Sequence, residues 1–247
     1  MRIFIVHAHP EPTSFNGAMT RTAVSTLTSA GHEVVVSDLY AMGFDPVSDR
    51  RNFVTVKDSL VLKQQAEEAF ASERNGFVPE LQAEMDKVAW CDTLVLQFPL
   101  WWMGLPAILK GWIDRIFAAG RAYGGGRMFD RGVFVGKRAM CSVTVGGHEA
   151  AYSEHGVYGR SVSSMLLPIH HGILAFTGFG VLEPFVVHAP ARMSPEERQA
   201  RLAEYGERLL SLELAPTMSS LRMAEYEGLV LKSASPLPFG GPPALRR

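Results

Sequence analysis

The feature that most constrains the fold is an alternation. Short runs rich in β-branched and aromatic residues recur at 2–8 (RIFIVHA), 33–39 (EVVVSDL), 93–99 (TLVLQFP), 138–145 (RAMCSVTV) and 181–189 (VLEPFVVHA). Several are apolar almost throughout, as strands covered on both faces are. Between them lie helical patterns at 15–29, 79–90, 106–119, 161–176 and 194–212. Strand and helix thus alternate five times, which predicts a parallel sheet with helices on both faces.

The helix over 106–119 shows the logic. Leu105, Ile108, Leu109, Trp112, Ile113, Ile116 and Phe117 recur at helical spacing, while Lys110 and Asp114 fall on the other side. Pro106 suits a first turn, where its missing N–H costs nothing. That stripe is a core face, but it leaves the preceding stretch Pro99, Leu100, Trp101, Trp102 and Met103 unexplained. Loops run over the surface, where bulky apolar side chains contribute little. Either packing buries this loop or a flat apolar object lies on it.

Composition narrows the partners. The 247 residues are 47% hydrophobic and 20% charged, with a formal net charge of −1. No electrostatic footprint for nucleic acid or an anionic membrane is present. The two cysteines, Cys91 and Cys141, form no CxxC pair and read as buried free thiols of a reducing compartment. The N-terminal apolar run is too short for a signal peptide, and no stretch approaches the ~20 apolar residues of a membrane span. A soluble, cytoplasmic protein with small-molecule partners is expected.

The connections 41–60 and 120–136 are long, as functional loops often are. Residues 1–213 read as one domain. Beyond it periodicity fades, and 214–247 reads as an extended Pro/Gly-rich tail with a basic end.

In open parallel sheets, ligands bind at the carboxyl ends of strands. Three segments leave such ends: 7–16 (HAHPEPTSFN), 99–104 (PLWWMG) and 144–159 (TVGGHEAAYSEHGVYG). The first places Thr13, Ser14 and Asn16 at a helix start, where hydroxyl caps and free N–H groups suit a phosphate. The second offers an aromatic surface. The third adds Gly146 and Gly147, which let backbone approach a ligand, then Tyr152, His155 and Tyr158 with dissociable protons. His7 and His9 share a strand face, but no third ligand completes a metal site. His170 and His171 follow Pro168 in an apolar helix and read as one core and one interface histidine.

These segments, with QFPLWWMGLPAILKGWIDRIF (97–117), AYGGGRMFDRG, LPIHHGILAFTGF and VLEP, closely resemble the NAD(P)H:quinone oxidoreductase family of flavodoxin-like flavoproteins, also called DT-diaphorases. The resemblance runs in order over about residues 2–205. It implies a flavodoxin-like five-stranded parallel sheet of order 2-1-3-4-5, and a homodimer binding FAD at the subunit interface. His9, Thr13, Phe15 and Asn16 match positions near the FAD phosphates. Pro99, Leu100, Trp101, Trp102 and Met103 match the loop under the isoalloxazine ring. Thr144, Gly146, Gly147 and Tyr152 match the group around its pyrimidine end, and Asp114 and Arg198 match positions toward the adenosine. Trp102, Met103, Tyr123, Met128, Gly146 and Gly147 match the substrate pocket. The flat object on the apolar loop is thus expected to be a flavin, FAD rather than FMN, with NAD(P)H as donor and a quinone or similar flat acceptor.

Flavins accept hydride at N5 and develop negative charge at the N1 and C2 oxygen end, so donors aimed there assist. Tyr152 is the candidate donor. Well-known mammalian members have a histidine where this chain has Tyr158, and His155 lies three residues earlier as a possible substitute. Glycines at 124–126 remove another aromatic and imply a roomier or more mobile pocket. A ping-pong oxidoreductase is the leading expectation. A flavin-binding regulatory subunit, such as those of potassium efflux systems, is the alternative, with the basic tail 232–247 as its docking element.

Overall fold

The computed structural model describes residues 1–218 and 221–232. The apolar runs form one parallel sheet in which β1 (Arg2–His7), β2 (Glu33–Asp38), β3 (Thr93–Pro99) and β4 (Arg138–Val145) lie in the order β2-β1-β3-β4. The fifth run pairs with β4 in two pieces, β5 (Gly180–Val181) and β6 (Phe185–His188). The expected 2-1-3-4-5 order holds, but its last strand is interrupted at Leu182 to Pro184. Pro184 has no N–H to give a ladder.

The period-two rule divides the sheet. Phe4, Val6, Leu94 and Leu96 face one core, packed by α3 (Pro79–Trp90) and α4 (Ala107–Ile116). Ile3, Ile5, Val95 and Met140 face the other, packed by α1 (Phe15–Ser29) and α7 (Pro195–Leu210). Trp112 of α4 is fully buried 6.1 Å from Phe4, and its indole N–H donates to Glu84 at 2.9 Å. Truncating such a side chain costs about 3–5 kcal/mol. Gly111, one position earlier, is needed for fit: a Cβ there would meet the Pro46 carbonyl oxygen at 2.2 Å. The long connection after β2 is thereby strapped across α4, where Arg115 donates to the Asp45 carbonyl at 2.6 Å and to Asn52 at 2.8 Å.

Helix α2 (Gln64–Ser72) has no counterpart in the sequence reading. The expected helix over 161–176 is broken into α5 (Val162–Met165), α6 (Leu167–Ile169) and a π-helical turn (His170–Ala175). Cys91 and Cys141 are buried free thiols, and burial pushes the Cys91 pKa up to about 11.

After α7 the chain runs along the outer side of β5. Met218 N–H donates to the Val181 carbonyl at 2.7 Å, Thr217 bridges Leu182, and Arg138 donates to the Ala215 carbonyl at 2.6 Å. A short hairpin follows, β7 (Tyr226–Glu227) with β8 (Val230–Leu231). The basic stretch 232–247 lies, apart from Lys232, outside the described residues. Among the described residues, no helix is long and apolar enough to cross a membrane.

Candidate active site

The carboxyl ends of β1, β3 and β4 bring three loops to one edge. Gly104 N–H donates to the Trp101 carbonyl at 3.0 Å and Trp101 N–H to the Gly104 carbonyl at 3.2 Å, which closes a two-residue turn around Trp102 and Met103. Both central residues adopt left-handed backbone, with φ of 49° and 59°. Such turns normally take Asn or Gly, because a Cβ disfavours this region by ~1 kcal/mol or more. Leu100 N–H anchors the loop on the Thr144 carbonyl at 2.8 Å. Trp102 is 101% exposed, and among the described residues neither the Trp102 nor the Met103 N–H donates to a protein acceptor. The loop therefore presents a wide apolar face and two free backbone donors.

Beside it lies the start of α1. Ser14 caps the helix by accepting from Gly17 N–H, while the Phe15 and Asn16 N–H groups donate to no protein acceptor among the described residues. A helix N-terminus with free donors favours an anion. Thr13 donates from both its hydroxyl and its backbone to Glu11, at 2.6 and 2.8 Å. These bonds hold the Glu11 carboxyl below its ordinary range. His9 lies 6.2 Å from Trp101 and accepts from Glu11 N–H at 3.0 Å. Arg198 of α7 sits over Phe15 at 5.2 Å and donates to the Pro190 carbonyl at 3.1 Å.

The third loop follows β4. A Cβ on Gly146 would meet open space, whereas one on Gly147 would meet the Tyr152 ring at 3.0 Å. Tyr152 is 9% exposed, and burial is the main cause that raises its phenol pKa, so it keeps its proton at neutral pH. Tyr158 stacks on it. The His188 imidazole, at the end of β6, lies against Tyr152, with ring centroids 5.7 Å apart. His155 is exposed in the same loop. Sequence reading passed over His188, because it sits in an apolar run far along the chain.

Asn16 and Thr144 are buried rather than displayed. The Asn16 side chain donates to the Thr144 hydroxyl at 2.7 Å, which joins the helix start to the end of β4.

Asp114 and Tyr123 are placed elsewhere. Both line a cavity of about 510 Å³ with Glu68, Gln64, Phe117 and Phe176, and Asp114 pairs with Lys110 at 2.6 Å. Burial raises the Glu68 carboxyl above its ordinary range. Met128 adjoins this region through Phe129, whose ring lies 5.6 Å from that of Phe176. None of the apolar-loop residues lines this cavity. Within one chain the expected site residues therefore fall into two groups.

The residues of the first group fit a flavin. Two free N–H donors beside a flat apolar face match a ring with a polar edge, the open side of Gly146 leaves room, and the start of α1 suits a phosphate.

Comparison with known proteins agrees with the geometry. Residues 1–212 match the family model described as flavodoxin-like fold. The chain is 44% identical over 209 residues to NAD(P)H dehydrogenase (quinone) 1 of Cavia porcellus, covering 84% of this chain and 76% of that protein. It is 39% identical over 212 residues to ribosyldihydronicotinamide dehydrogenase (quinone) of Homo sapiens, covering 85% and 91%. A solved structure of a putative quinone reductase from Klebsiella pneumoniae superposes with a TM-score of 0.91 at 35% identity, covering 97% of this chain and 99% of that one. With this fold, this site and these relatives, the chain belongs to the flavodoxin-like NAD(P)H:quinone oxidoreductase family and is an oxidoreductase.

Proposed function

We propose that the protein binds FAD and transfers two electrons, as hydride, from NAD(P)H to a quinone or similar flat acceptor in two successive half-reactions. The observation that carries this reading is the Trp102–Met103 turn, where two left-handed residues expose apolar side chains and their N–H groups donate to no acceptor among the described residues. A backbone strained in this way is retained where a ligand repays it.

When bound, the flavin supplies the hydride chemistry. The chain's part is binding, orientation and charge placement. Trp101, Trp102 and Met103 hold the ring face and exclude water, and the Trp102 and Met103 N–H groups orient its polar edge. Tyr152 holds a proton beside Gly147, where it stabilises negative charge developing near the ring. The Phe15 and Asn16 N–H groups and Arg198 receive the phosphates and the adenosine end. FAD rather than FMN is supported by the resemblance together with Asp114 and Arg198.

The two separate groups of site residues support a homodimer. A second copy would bring the cavity of Asp114 and Tyr123 against the apolar loop, and each site would then draw on both chains.

An anaerobic NADPH titration followed by visible absorbance tests the reading. A yellow protein that bleaches with one equivalent and releases FAD is expected, with parallel double-reciprocal plots in steady state and a dimeric mass in sedimentation. A protein that stays colourless after incubation with FAD or FMN overturns it.

A further inference from the structure

A line of buried polar side chains crosses the sheet beneath the site. Tyr205 of α7 is fully buried and its hydroxyl donates to Gln97 Oε1 at 3.3 Å. Gln97 of β3 donates from Nε2 to Asn16 Oδ1 at 2.8 Å, and Asn16 donates from Nδ2 to Thr144 Oγ1 at 2.7 Å. Four elements, α7, β3, α1 and β4, are joined by three bonds that all point the same way. Ser142 lies beside the phenol oxygen as a donor to it, so the phenol proton goes to Gln97 Oε1, which turns the amide nitrogen toward Asn16. Asn16 must then accept at its oxygen and donate from its nitrogen. Thr144 Oγ1 accepts in turn, so the Thr144 proton is directed elsewhere, and no described residue accepts it.

We propose that Tyr205 is a positioning residue which, through Gln97 and Asn16, fixes the Thr144 hydroxyl as a donor toward the mouth of the site. Resting on the flavin reading above, this makes Thr144 a donor to whatever electron-rich edge lies there, and hence a stabiliser of the reduced cofactor over the oxidised one. Buried amides linked in series polarise one another, so removing the first donor weakens the last. Burial raises the Tyr205 phenol pKa, which keeps its proton in place across the working pH range. The phenyl ring packs on Phe185 at 4.9 Å, so Tyr205→Phe removes the hydroxyl and leaves the packing.

Two measurements on the full chain test this. In the cofactor-free protein, Tyr205→Phe is expected to move the side-chain amide resonances of both Gln97 and Asn16. A change confined to α7 overturns the chain of bonds. In the flavin-loaded protein, the midpoint potential of Thr144→Val is expected to fall by about 30 mV, a tenfold change in relative affinity for a two-electron couple. Tyr205→Phe should lower it by at least about 14 mV, a threefold change in relative affinity, and the double variant no further than Thr144→Val alone. Additive shifts, or a rise in potential for Thr144→Val, overturn the proposal. Should the wild-type chain take up no flavin, the flavin reading fails, while the resonances still decide whether the bonds are coupled.

Discussion

Tyr158 lies stacked on Tyr152, with ring centroids 4.8 Å apart and planes 26° from parallel. Tyr158 thereby covers one face of the ring, while the Tyr152 hydroxyl lies beside Gly147. Tyr152→Phe should preserve the stack and remove the proton. Flavin reduction by NADPH should slow by ~10-fold, about 1.4 kcal/mol of transition-state stabilisation. Anaerobic stopped-flow absorbance reads this directly, and an unchanged rate removes Tyr152 from the mechanism.

His188 touches the same ring from β6. Burial lowers its pKa below the ordinary 6.5, while Glu149 pulls it upward and Arg201 pushes it down. It is therefore neutral at pH 7 and gains a proton only as pH falls below the ordinary histidine range. An imidazolium beside Tyr152 would make the phenol a stronger donor. The reduction rate should rise on acidification below the ordinary histidine range, and His188→Gln should flatten that limb. A limb that survives in His188→Gln assigns it to another group.

Trp102 holds left-handed backbone at a fully exposed position. Trp102→Gly should raise stability to unfolding by ~1 kcal/mol, because glycine adopts left-handed backbone without a Cβ penalty. The same change should weaken flavin retention, read as a higher dissociation constant in fluorescence titration. Loss of both stability and retention would mean that the indole packs in ways its exposure does not show.

His170 is fully buried in the π-helical turn, and neither ring nitrogen has a hydrogen-bond partner among the described residues. Burial drops its pKa from 6.5 to about 4. The unfolded chain then binds the proton more readily than the folded one between these values. Stability is complete above pH 6.5 and declines as pH falls toward 4. At ~1.4 kcal/mol per pH unit the loss is about 3 kcal/mol. His7 and His171, also lowered by burial, act with the same sign. His170→Leu should reduce the slope of urea midpoint against pH over this window, and an unaltered slope would exclude His170 as its main source.

The sheet was legible because β1, β3 and β4 are apolar on both faces, a pattern that helices of this length do not share. The break at Pro184 was written in the chain but hidden by the Val and Phe residues around it. Helix α2 escaped because its buried face is built from Glu67, Glu68 and Ala71, and carboxylates look like surface. Glu67 is held by the Lys57 and Asp58 N–H groups, both at 2.8 Å, contacts that periodicity does not encode. In the site, the misplaced apolar residues at 101–103 gave the loop away. Gln97 was visible as a lone amide inside an apolar strand, but its partner Tyr205 lies 108 residues further on. Asp114 and Tyr123 carry no mark in the sequence of the separate cavity they line, because that grouping depends on how α2, α4 and the π-helical turn pack.

The segment 215–218, laid along β5, has a consequence for handling the protein. A parallel sheet has two edges, and each is a template on which another strand can grow. Here the chain's own tail occupies one of them, through Thr217 and Met218. A truncation placed before Ala215 would leave the loops of the candidate site intact and yet bare the Val181 carbonyl and the Arg138 side chain that the tail now satisfies. Such a shortened chain is expected to lose solubility before it loses activity, so expression boundaries belong beyond Met218.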